Sequence, residues 1–144
     1  MDRKLKRILI IALLARVFIF CLYISYGGKG VFGDTRSYVS SAYTFINEGH
    51  FELGSSAVDY PIIRTPGYPL FLAINMFVFG KNYYYATAII QIILNVISIF
   101  FLYHITNSFT HCKKKSIGVC VFASLNFYSI YYCFALMTDS ISQS

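Results

Sequence analysis

The chain has 144 residues, of which 57% are hydrophobic and only 12% charged. A soluble domain carries about 25% charged residues, so an ordinary water-soluble globule is excluded and an all-α, polytopic membrane protein is indicated. The net charge of +6 is not a nucleic-acid signature, because the basic residues gather as Arg3-Lys4-Lys6-Arg7 and Lys113-Lys114-Lys115, each beside an apolar run, the pattern of cytoplasmic loops under the positive-inside rule.

Aromatic residues make up 19%, with 13 Tyr and no Trp. Rings with a wet hydroxyl suit the headgroup level of a bilayer. The cysteines at 21, 112, 120 and 133 show no paired spacing, so a disulfide framework is not expected. His111-Cys112 near His104 matches no zinc template.

Residues 8–26 form the first predicted span. These 19 residues, at 1.5 Å each, cover about 28 Å, close to the ~30 Å hydrocarbon core. The run stays bulky to its end, unlike a signal peptide with a small-residue cleavage site, and the basic group ahead of it sets entry from the cytoplasm. Arg16 sits near its middle. An arginine there is either buried in a helix bundle, snorkelling, or placed near an anionic lipid head.

Gly27-Gly28-Lys29-Gly30 ends the span and opens a long polar segment, residues 27–83, that holds four of the six acidic residues: Asp34, Glu48, Glu52 and Asp59. Within it Tyr38, Val39, Ala42, Tyr43, Phe45 and Ile46 fall at helical spacing over 35–48, with Gly49 as the stop. Such a helix suits the interface plane. Asp34 stands immediately before its first turn.

Pro66 and Pro69 restrict the next entry, and the apolar stretch to Phe79 is too short to cross a bilayer. Residues 84–103 then supply a full span, on which Thr87, Gln91, Asn95 and Ser98 line up on one side. A polar stripe on an Ile-rich helix points to packing against other helices. After the triple lysine, residues 117–137 form a third predicted span, followed by Thr138-Asp139-Ser140. If the short helix near 68–80 does not cross, there are three crossings, the lysines are cytoplasmic, and Asp139 shares the outer face with Asp34. Length and charge both favour that arrangement.

Gly33-Asp34-x-x-x-Tyr38-x-x-x-Ala42, then Asn47-Glu48-Gly49-His50-Phe51, then Arg64-Thr65-Pro66-Gly67-Tyr68-Pro69-Leu70-Phe71 resembles the N-terminal part of polytopic GT-C glycosyltransferases. The likeness is to the bacterial branch related to dolichyl-phosphate-mannose protein mannosyltransferases and lipid A aminoarabinose transferases. Phe79-Gly80 and Leu136-Met137-Thr138-Asp139-Ser140 extend it in order over nearly the whole chain.

The resemblance implies a glycosyltransferase that moves a sugar from a polyprenyl-phosphate-linked donor to an acceptor at the extracytoplasmic face, with a multi-pass fold in a bacterial plasma membrane. Asp34 matches the family's catalytic acidic residue in the first outer loop. A carboxylate there can accept the proton of an attacking hydroxyl. The lipid-phosphate leaving group needs cationic help as charge develops, for which Arg64 is the substrate-binding candidate and Arg36 a weaker one. Tyr38 lies one helical turn from Asp34 and is a second binding candidate. Asp139 occupies the family's second acidic position, suited to substrate or a divalent cation.

Each residue also has a plain structural reading. Asp34 is a preferred N-cap, and capping bonds would weaken it as a base. Arg64 can anchor the loop to lipid phosphates, Tyr38 can be an interface anchor, and Asp139 can mark a solvated helix end. Pro66-Gly67-Tyr68-Pro69 reads as a turn that aims the short helix. Members of the family run several times longer, and where they often have proline after an Asn-like residue, Asn126 is followed here by Phe127. The expectation is a chain incapable of turnover alone, either truncated or completed by a second chain. The alternative is a small non-enzymatic membrane protein that binds lipid or partner helices. No metal-ligand set and no nucleic-acid partner is indicated.

Overall fold

In a computed structural model the chain is helical in every described element; residues 2–27, 35–51 and 66–132 are described. In order these are α1 (Arg3–Ser25), α2 (Thr35–Glu48), α3 (Gly67–Phe79), a 3-10 turn (Gly80–Asn82), α4 (Tyr83–Thr110), α5 (Lys113–Leu125) and α6 (Phe127–Tyr132). They divide between two compact units, one of α1, α4 from Ala88 onward, α5 and α6, the other of α2, α3 and the start of α4.

In the first unit, α1 starts on Asp2, whose carboxylate accepts the Lys4 N–H at 2.9 Å, satisfying one of the open amides of a helix N-terminus. Leu5, Ala12, Ile99, Tyr103 and Cys120 form its buried cluster, with Ile8, Leu9, Phe100, Ile117 and Ala123 packed against it. Two contacts give the sense of α4 against the last two helices: Cys120 Sγ lies 3.7 Å from the Ile99 carbonyl, and Asn95 meets Ser129. As the number falls along α4 it rises along α5 and α6, so they run antiparallel. Leu5 shares its cluster with Tyr103 and Ile117. The basic group at the start of α1 and the three lysines that open α5 therefore stand at one end of this unit.

The outer face of α1 is apolar: Ile11, Leu14 and Phe18 are each more than 60% exposed. Among the described residues two helices are long and apolar enough to cross a membrane, namely α1 and the helical run Gly67–Thr110 that contains α3 and α4. The predicted span over 117–137 takes a different form. Its helix begins earlier, at Lys113, and stops at Leu125; Asn126 is extended, with φ −63° and ψ 110°, before α6 begins. The Asn126 side chain accepts the Ser129 N–H at 3.2 Å, and its carbonyl accepts the Ile130 N–H at 3.1 Å. Asn126 thus ends one helix and caps the next, as short amide side chains do when they compete for backbone N–H groups. Residues 133–137 lie outside the described residues.

In the second unit, α2 has the predicted bounds and ends at Gly49, whose φ of 76° is the left-handed conformation that glycine adopts without strain. Its buried side, Tyr38 and Ala42, packs on Leu72, Ala73 and Met76 of α3. With Pro69, those α3 residues fall at i, i+3, i+4 and i+7, the stripe of a helix with a single packed face. Pro66 and Pro69 are tolerated because first-turn amides have no partner within the helix. The far side of α3 is equally apolar, with Ile74 55%, Phe77 84% and Val78 62% exposed, which suits lipid contact rather than water.

Leu72→Ala should lower the unfolding free energy by about 2–5 kcal/mol. Phe77→Ala, on the exposed side, should change it by no more than about 0.5 kcal/mol. Chemical unfolding of the purified protein in detergent, followed by circular dichroism, measures both.

Candidate functional site

Three of the four residues singled out from the sequence, Asp34, Arg64 and Asp139, lie outside the described residues. Tyr38 is described. It is 5% exposed and sits in the α2–α3 core, its ring edge-on to Tyr68 at 5.2 Å and 83°. Tyr68 in turn contacts Phe71 at 6.0 Å. Tyr38 ends the first turn of α2 and Tyr68 is the second residue of α3, so this ring pair joins the beginnings of the two helices. Thr35, the first residue of α2, is also buried. Tyr38 therefore has a structural role as a core ring, of the kind in which an edge-to-face pair adds about 0.5–1.5 kcal/mol beyond area burial.

Two buried side-chain oxygens of this unit, Asn75 Oδ1 and Thr87 Oγ1, have no hydrogen-bond partner among the described residues. The other half of the Asn75 amide is satisfied, Nδ2 donating to the Phe71 carbonyl at 2.8 Å. Orphaned acceptors of this kind cost about 1–3 kcal/mol each. At the other end of α2, Phe45 stacks on Phe51 at 4.3 Å, and Glu48 pairs with His50 at 3.3 Å with both side chains more than half exposed. A solvated pair such as that contributes little.

The densest polar arrangement surrounds Arg16, which is completely buried. Its Nε donates to Asn95 Oδ1 at 2.8 Å. Its Nη1 donates to the Ala12 carbonyl at 3.1 Å and reaches the Ser124 carbonyl at 3.5 Å, and Nη2 reaches Ser129 Oγ at 3.5 Å. Asn95 Nδ2 donates to Ser129 Oγ at 2.9 Å. One guanidinium thus touches α4, the last turn of α5, and α6. Of the alternatives for Arg16, this is burial in a bundle.

The break at Asn126 explains the position of the cation. Ending α5 inside the unit leaves last-turn carbonyls without following amides, and the helix dipole puts partial negative charge there. A guanidinium with five fixed donors can satisfy several carbonyl and amide oxygens together and does not lose its charge. The polar stripe of α4 is divided in its use. Asn95 serves Arg16 and Ser129, whereas Ser98 is exposed and bonds back to the Leu94 carbonyl at 2.9 Å. Ser124 and Ser129 were not distinguishable as partners in the sequence. The available signal was Asn126, the single amide within 117–137, flanked by both serines.

Between α4 and α5, Cys112 stands at the N-cap of α5 without a formed capping bond from its sulfur. The nearby backbone N–H of Lys115, and after it that of Lys114 and the Lys115 charge, hold its thiol below the ordinary range, against a smaller opposing effect of desolvation. His104 is stacked edge-on with Phe100 at 4.5 Å and Tyr103 at 5.4 Å. Among the described residues no group of three His, Cys, Asp or Glu side chains could hold a metal ion.

In comparisons with protein families, curated proteins and solved structures, nothing matches this chain.

If Asn95 holds Arg16, Asn95→Leu should cost about 1.5–3 kcal/mol, the range for a hydrogen bond to a charged group, while Ser98→Ala stays within about 0.5 kcal/mol. Combining Asn95→Leu with Arg16→Met should cost less than the sum of the two, with a coupling of about 1–3 kcal/mol. Additivity in an unfolding double-mutant cycle in detergent would show that the two residues act separately.

Proposed function

We propose that this chain is part of a GT-C-type membrane glycosyltransferase that transfers a sugar from a polyprenyl-phosphate-linked donor to an acceptor at the extracytoplasmic face of the plasma membrane. The single observation that carries the reading beyond the ordered motifs is the Tyr38–Tyr68 contact, which joins the first turns of α2 and α3. Asp34 directly precedes α2 in the sequence, and Arg64 stands three residues before α3. The two chemistry-bearing segments of the outer loop therefore lead into helix beginnings that touch.

In this reading Asp34 accepts the proton of the acceptor hydroxyl as its oxygen bonds to the anomeric carbon. The bond from that carbon to the phosphate oxygen breaks, and the lipid phosphate leaves with the electron pair. Arg64 stabilises the charge developing there, and two neighbouring helix beginnings favour the same anion. Asp139 binds substrate or a divalent cation. Three crossings place α2 and α3 outside and both basic groups in the cytoplasm. The clustering of those groups at one end of the α1/α4/α5 unit supports this orientation. The site of this reading includes further helices beyond those described, because a lipid-linked sugar and an acceptor need more enclosing helices.

A second reading, a non-enzymatic protein that binds partner helices, is favoured by the exposed helix break at Asn126.

Asp34→Asn in the complete enzyme, with any completing chain co-expressed, should lower sugar transfer from a radiolabelled polyprenyl-phosphate sugar by about 10²–10⁴-fold, the usual worth of a general base. Glu48→Gln should leave it unchanged. Equal activity of Asp34→Asn and the unaltered chain would remove Asp34 from the chemistry.

The orientation has its own readout. In intact cells a membrane-impermeant maleimide should label His50→Cys at once. Cys112, although its thiol is readily ionised, should react only after the membrane is permeabilised. The reverse pattern would invert the chain.

A further inference from the structure

The basic residues at the start of α1 and those that open α5 are far apart in the sequence but stand at one end of the folded unit, because Leu5, Tyr103 and Ile117 share a buried cluster. Arg3, Lys4, Lys6, Arg7, Lys113, Lys114 and Lys115 are all exposed there. They are seven of the twelve Lys and Arg residues of the chain, and Asp2 is the one acidic residue in either stretch. Its carboxylate is engaged by the Lys4 N–H. Among the described residues the sole ion pair is Glu48 with His50, so none of the seven pairs with a described carboxylate. Packing thus gathers more like charge than either helix carries alone, and a surface of this kind attracts an anionic partner.

The surface next to the charges decides which anion fits. On α1, Arg3, Arg7, Ile11, Leu14 and Phe18 follow at steps of four, four, three and four, which is one side of a helix. All are exposed, the last three by 66%, 62% and 63%. Lys115, Val119 and Phe122 repeat the pattern on α5, and these too are exposed. Each stripe is cationic at the shared end and apolar beyond it. Arg7 and Phe18 are eleven residues apart, about 16 Å along a helix and roughly one leaflet of a ~30 Å hydrocarbon core. A molecule that covers such a stripe carries a negative group at one end and a hydrocarbon chain of about that length behind it. Nucleic acids and acidic protein segments supply the first but not the second.

We propose that this end of the α1/α4/α5/α6 unit binds anionic phospholipid of the surrounding membrane, with lipid phosphates on the seven cations and acyl chains along the apolar parts of the α1 and α5 stripes. Phosphate oxygens accept charge-assisted hydrogen bonds from the guanidinium and ammonium groups. The long stems of these side chains lie against hydrocarbon while their heads reach the phosphate level. A zwitterionic lipid, whose own ammonium group opposes the cations, is the weaker ligand, so the surface selects among lipids and does more than keep charge out of the bilayer. This rests on the membrane placement of the helices and not on sugar transfer, so the experiments on Asp34 and on the lysines can fail separately.

The test is electron paramagnetic resonance of the full chain in phosphatidylcholine vesicles that contain a trace of lipid spin-labelled on one acyl chain. The fraction of label restrained at the protein is measured for phosphatidylglycerol and for phosphatidylcholine. The unaltered chain should hold phosphatidylglycerol about fivefold more strongly, the effect of one lysine or arginine at an anionic surface. Salt at about 1 M, where the screening length is about 3 Å, should remove most of that preference. Lys113→Gln, Lys114→Gln and Lys115→Gln together should weaken it, and replacing all seven cations by glutamine should abolish it. Lys81→Gln, at an exposed lysine of the other unit, should leave it unchanged. Circular dichroism establishes that each variant is folded, and the salt titration needs no variant. Four results would overturn the proposal: equal retention of the two lipids by the unaltered chain, a preference undiminished by salt, a loss on Lys81→Gln as large as on the triple replacement, or capture of an RNA oligonucleotide that phosphatidylglycerol does not displace.

Discussion

The hydrogen bonds of Arg16 decide how the α1/α4/α5/α6 unit is put together. A guanidinium cannot discharge itself, so once α1 is buried the surroundings must supply oxygens at the positions of its N–H groups. Asn95 of α4, the Ala12 carbonyl of its own helix, the Ser124 carbonyl at the end of α5 and the Ser129 hydroxyl of α6 do so. Three separate stretches of chain are thereby held at one depth. Apolar packing among Leu5, Ala12, Ile99, Tyr103 and Cys120 is less particular, because aliphatic surfaces slide past one another at little cost within a membrane.

The break in the third apolar run and the buried arginine explain each other. An unbroken helix over 117–137 would have satisfied its own carbonyls and offered Arg16 only side chains. A break without a cation would have left the end of α5 open on its inner side. Together they make a polar centre in an apolar unit, with Asn126 directing its backbone as cap of α6.

The α2–α3 unit follows a simpler rule. Two short helices meet through small and apolar residues, and the Tyr38–Tyr68 ring pair fastens their first turns. In the sequence, Asp34 directly precedes α2 and Arg64 stands three residues before α3.

Much of the helical plan was legible in the chain itself. The 3.6-residue spacing of Tyr38, Val39, Ala42, Phe45 and Ile46, followed by Gly49, defines α2 to its ends, since local periodicity and a glycine stop are both written within one turn of the helix. The apolar character of α1 and α4 and the shortness of α3 were equally plain, because bilayer thickness converts residue number into span. The tertiary structure alone decided the partners. That Arg16 would be buried rather than snorkelling, and that Asn95 and not Ser98 would serve it, depend on residues 34 to 113 positions apart. Periodicity within one helix cannot specify such contacts: it says which face is greasy, and only packing shows which oxygen meets the charge.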